Sequence, residues 1–84
     1  MTTEQERADT LADYRRAAAL IIHFGRDDGA GVNAVLDEAN EADRATELVV
    51  ALLMTYNSIV PEVRTDLGMK LMTDYLLRIA GEQT

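Results

Sequence analysis

Eighty-four residues carrying 15 acids against 8 lysines and arginines, a net charge of −7, make one small acidic domain that buries only about 60–65% of the surface its unfolded chain exposes. With no cysteine, a disulfide framework and a thiolate metal site are excluded, which leaves helix packing or oligomerisation to stabilise the fold. Hydrophobic residues at 48% and charged residues at 27% predict a folded globule, and the scattered basic residues argue against direct binding to nucleic acid or to a membrane surface.

The start, Met1–Arg7, is polar and lacks the basic and apolar regions of a secretory signal, so a cytoplasmic protein is expected. Helical periodicity begins at Glu4 and runs to Phe24. Leu11, Tyr14, Ala18, Ile21 and Ile22 share one face, with Asp9, Asp13 and Arg16 largely opposite. Gly25 suits the left-handed position after a helix end, and Arg26-Asp27-Asp28-Gly29 continues as a turn.

A short second helix is predicted over Gly29–Ala39, with Asp28 as N-cap and Val32, Val35, Leu36 and Ala39 on one face. Gly29 and Gly31 each weaken its first turn by about 1 kcal/mol relative to alanine. Asn40 is the expected N-cap of a third helix whose first turn holds Glu41 and Asp43. The alternative is one helix from about Gly31 to Tyr56, bent near Asn40. The acids Asp37, Glu38, Glu41 and Asp43 predict an exposed junction in either case.

Leu48–Met54 is the longest apolar run, too short to span a bilayer, which takes about 20 apolar residues, and is expected to form the buried central helix. One broad seam takes in Ala45, Leu48, Val49, Leu52, Leu53, Tyr56, Ile59 and Val60. Val50 and Met54 make a second strip, which faces either another helix of the chain or a partner subunit. Pro61 ends this helix near Ser58–Val60 and opens a last one over Glu62–Ala80. There Leu67, Gly68, Met69, Leu71, Met72, Tyr75, Leu76 and Ile79 form the apolar arc, and Leu77 falls on the polar side. Gly68 is either a point of close approach or a tolerated weak point. The chain is thus expected to be all-α, one domain over residues 1–84, a compact bundle of three long helices and one short, fraying at about 1–4 and 81–84.

Chemistry finds little purchase in this sequence. His23 is the sole histidine, a candidate base or ligand with Asp27 or Asp28 nearby in sequence. Near a helix C-terminus, however, it interacts favourably with the dipole when protonated with no catalysis needed, and the structural reading is preferred. Asp27–Glu38 fails as a calcium loop, because Gly29 and Gly31 stand where oxygen ligands are needed and Val32 where glycine makes the turn. Asp28-Gly29-Ala30-Gly31 lacks the preceding strand and the Lys-Ser/Thr pair of a phosphate loop. The paired acids are explained by solvated helix faces, and Asp37, Glu38, Glu62, Asp66 and Asp74 would meet a phosphate-lined groove badly. No catalytic residue, metal ligand or cofactor site is assigned.

The succession of a helix, Gly25-Arg26-Asp27-Asp28-Gly29, a short helix ending Leu36-Asp37-Glu38-Ala39, and Leu48-Val49-Val50-Ala51-Leu52-Leu53 resembles short all-helical proteins of unassigned function from actinobacteria and their phages. The resemblance covers about Ala17–Leu53. It implies a small accessory protein that acts through another protein, and it brings no functional residues with it.

The expected function is therefore non-enzymatic: an adaptor or modulator that binds a host protein, with homodimerisation expected. The interaction residues proposed from sequence are Val50, Met54, Met69, Met72 and Leu77. The alternatives are an acidic nucleic-acid mimic that inhibits a nucleic-acid-handling protein, and a self-assembling structural subunit.

Overall fold

The computed structural model describes residues 3–83 and is helical throughout: α1 (Glu4–Gly25), α2 (Gly29–Glu41), α3 (Ala45–Ile59), a 3-10 turn (Pro61–Arg64) and α4 (Asp66–Glu82). α1, α2 and α3 pack against one another. Among the described residues α4 packs only against the 3-10 turn and reaches none of the other three helices. The expected compact four-helix bundle is therefore a three-helix unit with a fourth helix standing apart from it. Its radius of gyration, 15.5 Å, exceeds the roughly 12 Å of a compact chain of this length.

Local chemistry accounts for each boundary. Thr3 accepts the Glu6 N–H (3.1 Å) and caps α1, and Asp28 accepts the Gly31 N–H (2.9 Å) and caps α2 as expected. Of the ends expected to fray, residues 1, 2 and 84 lie outside the described residues, while Glu4 is helical and α4 runs through Glu82. Two boundaries differ from expectation. α1 includes Gly25, and the left-handed residue is Asp27 (φ 56°). α2 runs past Asn40 to Glu41 and stops at a second left-handed residue, Asp43 (φ 57°).

Both stops close the same way. The Asp28 N–H donates to the His23 carbonyl (2.9 Å) and the Arg44 N–H to the Ala39 carbonyl (2.8 Å), each spanning the left-handed residue. Aspartate tolerates that conformation better than most residues, so glycine is not required. Asn40 is thus not a cap, α3 starts at Ala45 without any side-chain cap, and the single bent helix does not form. At the far end Pro61 opens the 3-10 turn rather than α4. Thr65 caps α4 instead, accepting the Gly68 N–H (3.1 Å).

The core is small. Ala17, Val35, Ala39, Leu48 and Ala51 are its buried apolar residues, with Leu20 and Leu52 packed alongside. α1 is turned relative to expectation: Asp13 and Arg16 are buried at 4% and 8% exposure, whereas Leu11 is 70% exposed and Tyr14 and Ile22 also face outward. The apolar run of α3 is not a buried helix either. Leu48 and Ala51 point inward while Val49, Leu53, Tyr56 and Ile59 of the expected seam are exposed.

The inward polar face of α1 is explained by its partners. Arg44, just before α3, donates through Nε to Asp13 Oδ1 (3.1 Å) and through Nη2 to Oδ2. Arg16 lies 3.6 Å from Asp13 and donates through Nε to Glu38 of α2 (2.9 Å), which Arg15 also binds. This ion cluster ties all three helices at one end of the unit, and no buried side-chain polar atom among the described residues lacks a partner.

Candidate interaction surface

α4 exposes its apolar residues because nothing is packed on them. At about 100° per residue, Leu67, Leu71, Tyr75, Ile79, Met72, Leu76 and Met69 cover more than half the helix circumference. A helix lying on one neighbour needs only a stripe. Met69, Leu71, Met72, Tyr75, Leu76 and Leu77 are all exposed. Met69 and Met72 border one surface hollow of about 430 Å³ together with Thr73, Tyr75, Leu76 and Ile79. Leu77 lies on the flank of α4 that carries Lys70 and Thr73.

The other two residues expected to interact, Val50 and Met54, are half exposed on α3. Val50 borders a hollow with Tyr14 and Thr10 of α1 and with the Asp13 and Arg44 ion pair. Since α3 and α4 do not touch, the five residues form two separate groups rather than one surface.

A third apolar feature was not singled out from the sequence. Leu20, Ile21 and Phe24 of α1, Val32 and Leu36 of α2, and Leu52 and Tyr56 of α3 line a groove of about 300 Å³ where the three helices meet. Every lining residue is apolar or aromatic, and Phe24 is 74% exposed. Each was legible in sequence as an apolar position. That they enclose an open groove follows only once α4 is known to lie elsewhere.

Asp13, Arg15, Arg16, Glu38 and Arg44 are committed to holding the unit together. The Glu38 carboxyl is held below its usual range by hydrogen bonds from Arg15 and then Arg16, against a smaller opposing effect of burial. The hydrogen bond to Asp13 raises Arg44. The backbone N–H of Gly31 lowers Asp28, with His23 contributing less. His23 Nδ1 lies 2.9 Å from Asp28 Oδ2, so the lone histidine links the end of α1 to the cap of α2. A Cβ on Gly31 would meet His23 Nδ1 at 2.3 Å and Asp28 Oδ2 at 2.5 Å. Gly31 is thus a point of close approach and more than a weak first turn.

Among the described residues no three His, Cys, Asp or Glu side chains are placed to hold a metal ion. Among the described residues no helix is long and apolar enough to cross a membrane. No protein-family model, curated protein or solved structure matches the chain.

Proposed function

We propose that the protein is a non-enzymatic helical interaction module that acts by binding another protein surface through α4 and the apolar faces left open on α3. The observation that carries this reading is the isolation of α4, a helix apolar over more than half its circumference and, among the described residues, packed only against the 3-10 turn. Exposed apolar area on this scale marks a surface built to be covered. Methionines at 69 and 72 suit a contact that adapts to its partner.

The test is capture from nuclease-treated host lysate by the immobilised wild-type protein and by a Met72→Glu, Leu76→Glu double variant. A single host protein retained near stoichiometrically by the wild type and lost with the variant is the expected result. Equal retention by both, or none by either, refutes the reading. The nucleic-acid-mimic alternative predicts instead that capture falls steeply as salt rises and ignores the α4 substitutions.

A further inference from the structure

We propose that the surface covering α4 is a second copy of this chain, the two copies exchanging α4 so that each lays it in the apolar groove of the other between α1, α2 and α3. The inference deepens the interaction reading above and rests on it: the second copy covers α4, and the α3 face around Val50 and Met54 is what the dimer offers a host protein.

Area is the first argument. The chain exposes 6733 Å², whereas a folded monomer of this size exposes about 5,000 Å². The excess is what each member of an obligate dimer covers, roughly 1,000–2,500 Å² per chain. The groove floor, with Phe24, Leu36 and Tyr56 exposed, and the face of α4 are uncovered together.

The elbow between α3 and α4 supplies the second argument, since it keeps α4 from closing on its own unit. Val60 leaves the helical region (φ −125°, ψ 69°), Pro61 starts the 3-10 turn, and Thr65 is extended (φ −73°, ψ 162°) before capping α4. Gly68 locks the first turn of α4 onto this elbow, because a Cβ there would lie 2.2 Å from the Glu62 carbonyl oxygen and 2.8 Å from that of Val63. A packed elbow that points a helix away from its own groove delivers it to another copy. The contact is then isologous and closes as a two-fold dimer.

Charge points the same way. On the 3-10 turn and α4, Glu62, Asp66, Asp74 and Glu82 stand against Arg64, Lys70 and Arg78, so nearly all of the −7 resides on the three-helix unit. The helix that crosses to the other copy is the part that meets an acidic unit with least repulsion. Length fits as well: 17 residues of α4 span about 25 Å and 15 residues of α3 about 22 Å.

Sedimentation equilibrium at micromolar concentration is expected to give twice the chain mass for the wild type. It is expected to give the chain mass for Phe24→Glu and for Leu76→Glu, each with an unchanged helical circular-dichroism signal. Both side chains are exposed in the single chain, at 74% and 64%. The dimer Kd is expected to rise about a thousandfold, roughly thirtyfold at each of two equivalent contacts. Mixing the two variants is expected to restore a dimer, because one intact α4 then meets one intact groove.

Isotope-filtered NOE spectra of wild-type protein, mixed from labelled and unlabelled chains, are expected to place Met72 and Leu76 beside Leu36 and Leu52 of the other copy, whether or not the variants fold. A monomeric wild type, a dimer unaffected by both variants, a variant mixture that stays monomeric, or spectra without those contacts overturns the exchange. A monomer that still captures a host protein through α4 overturns the exchange alone. An exchanged dimer that captures nothing overturns the adaptor reading alone.

Discussion

The orientation of α1 is decided by two substitutions, two residues apart on opposite faces of the helix and opposite in expectation, Asp13→Ala and Leu11→Ala. Asp13 is buried, its carboxylate accepting from Arg44 and lying 3.6 Å from Arg16. Removing one member of a buried ion pair costs about 3–5 kcal/mol when the other charge is stranded. Here Arg16 keeps Glu38, and the Arg44 side chain is 28% exposed and can rehydrate. Alanine also returns about 0.5 kcal/mol of helix propensity. The expected net loss is about 2–3 kcal/mol, a fall of about 10–15 °C in melting temperature for a domain of this size. Leu11, 70% exposed, forfeits less than about 0.8 kcal/mol of its burial. Urea denaturation followed by circular dichroism, at one fixed protein concentration, reads both. A Leu11→Ala loss larger than that of Asp13→Ala would refute the inward polar face of α1 and restore the conventional apolar one.

Acid should remove the Glu38 contribution in a defined direction. Its carboxyl is held below the usual 4.5 by Arg15 and Arg16, so the stabilisation is complete above about pH 4.5 and is lost as pH falls through the lowered value. The gap in denaturation midpoint between wild type and Glu38→Gln is therefore expected to be full at pH 7 and to close in strong acid; a gap that widens there contradicts the assignment. Asp27→Gly and Asp43→Gly each relieve a left-handed aspartate and are expected to raise stability by up to about 1 kcal/mol, measured by thermal melting. Thr65→Ala is expected to cost about 1 kcal/mol of local stability through loss of the α4 cap, read as faster amide exchange at Gly68. Gly68→Ala, although favourable by helix propensity, is expected to displace the 3-10 turn, shifting the Glu62 and Val63 amide resonances, because the added Cβ meets backbone oxygen rather than a side chain.

Periodicity was enough to show an all-helical chain, the Asp28 cap, the break before Pro61 and the apolar arc of α4. It failed where two competing interactions have similar sequence signatures. Asp13 and Arg16 read as a solvated face because the partner that makes their burial affordable, Arg44, lies 31 residues from Asp13 and carries no local mark. The apolar strip of Leu11, Tyr14, Ala18 and Ile22 then read as core for want of any sign that it lost the competition. Asn40 was a plausible cap, but the helix ran on until Asp43 could take the left-handed position and leave Arg44 free to reach Asp13. Of the five residues expected to interact, all are exposed, yet sequence gave no means of seeing that Val50 and Met54 stand apart from the α4 group.

These observations connect the ion cluster to the open surface. A three-helix unit whose buried apolar residues are three alanines, one valine and one leucine has little hydrophobic burial to hold it, and Asp13, Arg16, Glu38 and Arg44 fix the helices' register at one end of it. At the other end lies the groove around Phe24, Leu36 and Tyr56, where larger apolar side chains stand open. The polar end specifies how the helices meet without needing a large core. The apolar end is thereby left unfilled, and filling it couples the stability of the unit to whatever helix occupies the groove. If α4 of a second copy is that helix, thermal stability rises with protein concentration by mass action, and Leu76→Glu abolishes that dependence while leaving the ion cluster intact.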